Sequence, residues 1–160
     1  MTRCPVPARA SYRDLLRDLL GRPVEVRPGP AQQLDEDASA YLAAYRFDDG
    51  EVAALGVTDL PLAAIAAAAI GMAPPAEVQE SAASGSLGEE PLEFFHEVVN
   101  VAAKLLNSPG TPHVVLRELT AVPGDVPDDL FELATAPRSR HDWRVSVEGY
   151  GAGTLTLLHP

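Results

Sequence analysis

The chain has 160 residues, 46% of them hydrophobic, and a formal charge of −11 at neutral pH. A chain of this length and apolar content can bury the core of one globular domain. Nucleic acid and anionic membranes are excluded as partners, because both are bound by clustered Lys and Arg, whereas here 23 acidic residues outnumber 12 basic ones. The longest apolar stretch, residues 60–72, is too short to span a bilayer.

The first ten residues show no helix or strand pattern and are expected to form a flexible tail. Cys4, the sole cysteine, cannot form an internal disulfide and is expected to be an exposed thiol in this tail. The first thirty residues also lack the continuous apolar segment of a secretory signal. These features favour a cytoplasmic location, where thiols stay reduced.

The first half of the chain is predicted to contain a helix (11–20), an edge strand (24–27), a β-hairpin (38–57) and an uncharged alanine-rich helix (60–72). Leucines on one face of the first helix indicate amphipathicity, and Gly21 followed by Pro23 ends it. In the hairpin, Gly50 supplies the positive φ of a tight turn. Alternation in its first strand places four apolar residues on one face, namely Tyr41, Ala43, Tyr45 and Phe47.

The second half is predicted to contain a mobile linker (73–88), a long helix (89–106), a strand (114–122), a short helix (128–134) and two closing strands (143–147 and 154–158). Pro, Ala, Ser and Gly dominate the linker. Ser86 and Glu89 match a capping box at the start of the long helix. Adjacent strands with short connections predict an α+β domain over residues 11–160, with an antiparallel sheet and helices packed on one face or edge.

The long helix carries a narrow polar stripe on an otherwise apolar surface. At about 100° per residue, four polar side chains fall within an arc of roughly 60°, namely Glu93, Glu97, Asn100 and Lys104. Such a stripe is ordinarily the solvent-facing side of a core helix. Glu93 and Glu97, however, are like charges one turn apart, which is mildly destabilising and indicates a role beyond solvation.

At these residues the sequence resembles the CheC/CheX/FliY family of response-regulator phosphatases. The family motif is an Asp or Ser, three residues, a Glu, two residues, an Asn, and a Pro some twenty residues later. Glu97 and Asn100 match the Glu and the Asn, Glu93 stands at the Asp or Ser position, and Pro123 lies one residue late. The order of predicted elements, including an alanine-rich helix that ends Ile-Gly-Met, is similar to that of CheX.

The resemblance implies hydrolysis of the aspartyl phosphate on a CheY-like receiver domain in a chemotaxis pathway. Glu97 is then expected to contact the receiver's active-site lysine, and Asn100 to hold the attacking water in line with phosphorus. The Mg²⁺ ion belongs to the receiver, so the chain itself is expected to need no cofactor and no metal. The four scattered histidines have no metal-ligand spacing.

Two residues depart from the family pattern and leave alternatives open. The family usually has small residues just before the Glu and four positions after the Asn, where this chain has His96 and Lys104. Lys104 either pairs with Glu97 or Asn100 and blocks the site, or attracts the acidic receiver pocket. Glu93, His96 and Lys104 are therefore expected to contact the partner. The second hypothesis is a binding or scaffold module that kept the fold without the chemistry.

Two further expectations concern assembly and ligands. CheX relatives pair through their sheets, so a homodimer is expected by resemblance, with the final strand over residues 154–158 as a possible edge. A third hypothesis is a small-ligand sensor with an apolar pocket beneath the alanine-rich helix. A solid core at this place would remove it.

Overall fold

The computed structural model describes residues 4–34 and 38–160. The helices are α1 Arg9–Leu20, α2 Leu60–Ile70, α3 Ala76–Ser84, α4 Glu89–Ala102 and α5 Asp128–Thr135, with a 3₁₀ helix Ala103–Leu106 directly after α4. The strands are β1 Val24–Pro28, β2 Ala40–Phe47, β3 Val52–Asp59, β4 Val114–Val122, β5 Ser139–Val147 and β6 Gly151–His159. The predicted strands, hairpin and amphipathic first helix are confirmed within one to four residues at their ends.

The strands form one sheet with the order β1-β5-β6-β3-β2-β4, and every neighbouring pair is antiparallel. The prediction of an α+β fold built on an antiparallel sheet is confirmed. The final strand β6 lies between β5 and β3, so the expectation that it offers a free edge for a homodimer is wrong. The edge strands are β1 and β4.

Both faces of the sheet are covered. Alternation in β2 directs Tyr41, Tyr45 and Phe47 into the larger core with α1, α2 and α4. The intervening residues of β2 join Leu130 and Leu133 of α5 in a second core. The expectation of helices on one face or edge was therefore wrong for α5, since the apolar stripe of this short helix covers the opposite face.

The alanine-rich helix α2 is the centre of the larger core. Its residues from Leu62 to Ala69 are all buried, and the small side chains permit close packing against α4 and β6. Asp59 caps its first turn by accepting hydrogen bonds from the backbone N–H groups of Leu62 and Thr154, each at 2.9 Å. This cap joins the start of α2 to the central strand β6.

The segment predicted as a mobile linker, residues 73–88, contains a helix that the sequence pattern did not indicate. Helix α3 occupies Ala76–Ser84 and packs on α2, with Val78 and Ser81 buried. The predicted capping box is also wrong. Gly88 is the N-cap of α4, and no side-chain cap is present there. The mobility of the segment stays a prediction.

The amino-terminal segment is more closely packed than expected. Cys4 is 6% exposed, and its sulfur lies 3.9 Å from the carbonyl oxygen of Leu106. Burial raises the pKa of the Cys4 thiol to about 11, so it stays protonated and unreactive near neutral pH. Helix α1 begins at Arg9, inside the predicted tail of residues 1–10. Residues 1–3 of that tail lie outside the described part.

In the described part of the chain, no helix combines the length and the apolarity that crossing a membrane requires.

Candidate functional site

Helix α4 carries the polar stripe, and its orientation follows from its sequence. Glu89 and Glu90 lie in the first turn, where negative charge is favoured by the helix dipole. Its apolar face is buried against the sheet and α2 through Phe95, Val98, Val99 and Ala102. The stripe of Glu93, Glu97 and Asn100, with His96 beside it, is exposed on the opposite side. The structure therefore brings these predicted site residues together on one accessible helix surface.

Two tyrosine side chains of β2 form hydrogen bonds to α4 and to the segment just before it. The hydroxyl of Tyr45 donates a 2.6 Å hydrogen bond to the carbonyl oxygen of Val99, one residue before Asn100. The hydroxyl of Tyr41 accepts a 2.8 Å bond from the backbone N–H of Leu87, just before the helix begins. Burial raises the pKa of Tyr45 well above its usual range, so its hydroxyl stays a donor at any working pH.

The carboxyl end of α4 tightens into the 3₁₀ helix that carries Lys104. Asn107 fixes this end to β4. Its side-chain nitrogen donates to the carbonyl oxygens of Ala103 and Val114, and its side-chain oxygen accepts from the N–H of Val114. No local pattern specifies these bonds, because the tertiary fold brings β4 to Asn107.

The polar side chains of the stripe are available to a partner. Within residues 4–34 and 38–160, the side chains of Glu97, Asn100 and Lys104 form no hydrogen bond or ion pair. The alternative in which Lys104 occupies the site by pairing with Glu97 or Asn100 is therefore absent from this conformation. Glu93 and His96 are likewise exposed. The helix presents an anion and a neutral amide side by side, with a cation one turn further on.

The motif proline lies just after β4 in the chain. Pro123 directly follows β4, is exposed, and is joined to Val122 by a cis peptide bond. Strand β4 is an edge of the sheet and follows the 3₁₀ helix in the chain.

The core beneath α2 leaves little room for a ligand. A cavity of about 40 Å³ lies between the sheet and the helices, lined by Tyr45, Leu62, Ala66, Phe95 and others. Pockets for small organic ligands ordinarily measure about 300–1,000 Å³. The cavity beneath α2 is therefore too small for the ligand that the small-ligand hypothesis requires. Among the described residues, no three His, Cys, Asp or Glu side chains are grouped as ligands of a metal ion.

No family model and no curated protein sequence matches the chain. Similar solved structures cover almost all of it. FliY of Thermotoga maritima is 12% identical over 96% of this chain and 84% of its own, with a TM-score of 0.59. FliM in a FliG–FliM complex from H. pylori is 9% identical over 95% and 86%, with a TM-score of 0.63. CheX in a CheX–CheY–BeF₃–Mg²⁺ complex from Borrelia burgdorferi is 11% identical over 92% of both chains, with a TM-score of 0.50.

The chain therefore has the fold shared by the CheC/CheX/FliY proteins and the FliM middle domain, as its motif and element order predicted. At 8–12% identity these similarities show the fold alone. The chemistry of α4 has to follow from its own residues.

Proposed function

We propose that the chain is a chemotaxis-type phosphatase that removes the phosphoryl group from the aspartate of a CheY-like receiver. The observation that supports this most directly is the exposure of Glu97 and Asn100 together on a helix whose apolar face is buried. Two polar side chains three residues apart, with no partner in the described part of the chain, can enter the pocket of another protein without first breaking contacts of their own.

Hydrolysis of the aspartyl phosphate requires this chain to do little more than position a water molecule. The water oxygen attacks phosphorus, the bond from phosphorus to the aspartyl oxygen breaks, and inorganic phosphate leaves a regenerated carboxylate. The side-chain amide of Asn100 accepts and donates hydrogen bonds, so it can hold the water in line. Glu97 pairs with a lysine of the receiver and sets the register. The Mg²⁺ ion held by the receiver neutralises charge on the transferred group.

Electrostatics assigns a role to Lys104. Between Arg46 and Lys104 the sequence contains no lysine or arginine, and the net charge is −11. A phosphorylated receiver pocket is itself acidic, so the two surfaces repel each other at a distance. Lys104 lies one turn beyond Asn100, is exposed, and is the chain's only lysine. We assign it to attraction of the receiver, with Glu93 and His96 at the margin of the contact.

Phosphate release tests the proposal. A CheY-like receiver is phosphorylated with a small phosphodonor, and the native chain is added at one-tenth of its concentration. We expect phosphate to be released at least about tenfold faster than from the receiver alone, which corresponds to a barrier lower by ~1.4 kcal/mol. Asn100→Ala should lose this acceleration, while Gln33→Ala, an exposed amide in a distant loop, should keep it. Absence of acceleration with every receiver of the same organism contradicts the proposal.

A second candidate function is a scaffold that binds a receiver or another partner without turnover. His96 and Lys104, the two departures from the phosphatase pattern, favour it, as does the similarity to FliM, which the solved structure shows in complex with FliG. Binding of the receiver with unchanged phosphate release distinguishes this function from the first.

A further inference from the structure

A groove beside the stripe is formed by three helices. Its volume is about 410 Å³, and it lies between α2, α3 and the first turns of α4. Alanines of α2 form its floor together with Gly71 and the ring of Phe94. A Cβ atom on Gly71 would lie 2.8 Å from that ring, so glycine is what allows Phe94 to pack here. This volume lies within the range of ordinary ligand pockets, about 300–1,000 Å³.

The walls of the groove are acidic. Glu77 and Glu80 of α3 and Glu90 of α4 line it, and none of the three has an ion-pair partner in the described part of the chain. Six glutamates lie between residues 77 and 97, whereas no lysine or arginine occurs between Arg46 and Lys104. The charge of this surface is therefore uncompensated, and it is complementary to a basic partner.

A serine hydroxyl also lines the groove. Ser81 is only 9% exposed, and within the described residues its hydroxyl has no hydrogen-bond partner. Its oxygen remains accessible from the groove, so it can accept a hydrogen bond from an incoming guanidinium or ammonium group.

An exposed methionine follows the last turn of α2. Met72 is 90% exposed and has a positive φ of 56°. It occupies the left-handed position of a Schellman cap, where glycine is usual, since Ala73 N–H donates to Ala68 and Met72 N–H to Ala69. A flexible thioether displayed next to an apolar floor suits the contact surface of a partner helix.

We propose that this groove binds a basic, amphipathic helical segment of a partner protein. Its arginines pair with Glu77, Glu80 and Glu90, and its apolar face packs on Phe94 and Met72. The site is separate from the Glu97–Asn100 pair and needs no phosphorylated receiver.

Fluorescence anisotropy with designed peptides tests the proposal without any receiver. Three labelled 14-residue helical peptides carry Arg at i,i+3, at i,i+4, or at i,i+3,i+7, with Leu and Ala on the other face. At least one is expected to bind, and its dissociation constant should rise at least about tenfold in the triple variant Glu77→Gln, Glu80→Gln, Glu90→Gln. Met72→Gly should weaken binding about threefold without lowering the melting temperature.

A charge-matched control separates the groove from the general charge of the protein. Asp18→Asn, Asp48→Asn and Asp125→Asn together remove three exposed carboxylates elsewhere and should change the dissociation constant less than twofold. Equal weakening in both triple variants overturns the proposal, as does equally tight binding of a peptide with Glu in place of Arg. Binding of free arginine as tight as the peptide would show a small-cation site instead. No binding of any peptide at 1 mM also overturns it.

Discussion

The hydroxyl of Tyr45 donates a 2.6 Å hydrogen bond to the carbonyl oxygen of Val99, the residue directly before Asn100. Tyr45 lies in β2, inside the sheet, whereas Asn100 is exposed on the outer face of α4. The bond therefore connects the rigid sheet with the turn of helix that presents the proposed water-positioning amide. It also occupies a carbonyl group close to the point where α4 changes into the 3₁₀ helix.

Tyr45→Phe removes this bond and leaves the buried carbonyl of Val99 with one partner fewer. We expect the free energy of unfolding to fall by about 2 kcal/mol, measured by urea denaturation. Tyr12→Phe is the matched control, because Tyr12 is also buried but its hydroxyl forms no hydrogen bond in the described part of the chain. It should cost less than about 0.5 kcal/mol. Similar losses in both variants would remove the role assigned to the bond.

Lys104→Gln distinguishes attraction from obstruction. If Lys104 draws the acidic receiver to α4, the variant should lower kcat/KM for phosphate release about three- to tenfold at low salt. The difference should shrink at 0.5 M NaCl, where charges are screened within a few ångströms. A variant faster than the native chain would instead show that Lys104 blocks the site.

Met72→Gly should stabilise the protein. Met72 has a left-handed backbone conformation that costs a non-glycine residue about 1 kcal/mol, and its side chain is 90% exposed and buries little. The free energy of unfolding should therefore rise by about 1 kcal/mol in urea denaturation. Gly71→Ala is the contrasting change, because its new methyl group would meet the ring of Phe94 at 2.8 Å. It should destabilise the protein by about 1–3 kcal/mol. A loss of stability in Met72→Gly contradicts this account.

His159 should make stability depend on pH. Burial lowers the pKa of its imidazole below the usual value of about 6.5, and the ring Nε2 donates to the carbonyl oxygen of Pro5. The unfolded chain therefore takes up this proton first as the pH falls through 6.5. The contribution of the neutral His159 ring to the free energy of unfolding is therefore fully present above about pH 7.5 and declines below it.

His159→Gln tests this dependence, since glutamine keeps a donor for Pro5 but does not titrate. Urea denaturation at pH 7.5 and pH 5.5 should show a smaller difference between the two pH values for the variant than for the native chain. Equal differences would show that His159 does not contribute.

Local patterns predicted the elements whose residues alternate or recur along a single strand or helix. The hairpin around Gly50 and the stripe of Glu97 and Asn100 are of this kind, and both are found as predicted. Helix α3 was missed because a stretch of Pro, Ala, Ser and Gly reads as a linker, whereas packing on α2 stabilises it as a helix. The alanine-rich helix was predicted to continue to Met72, but it ends at Ile70, and Met72 has the left-handed backbone conformation.

Features that depend on distant contacts could not be read from the sequence. Cys4 is buried because its segment packs near Leu106, about a hundred residues away in the chain. The central position of β6 follows from its pairing with β3, which no local pattern specifies. The acidic groove is assembled from three helices, one of which was not predicted.

Loss of phosphate from a labelled receiver tests the central claim most directly. The receiver is phosphorylated, freed of donor, and mixed with excess native chain or with Asn100→Ala. The native chain should raise the first-order rate constant at least about tenfold above that of the receiver alone. With Asn100→Ala the rate constant should lie within twofold of that of the receiver alone. The variant should still bind the beryllofluoride form of the receiver, with a Kd within about threefold of the native value. An unchanged rate constant with the native chain, or an Asn100→Ala variant as fast as the native chain, would contradict the account.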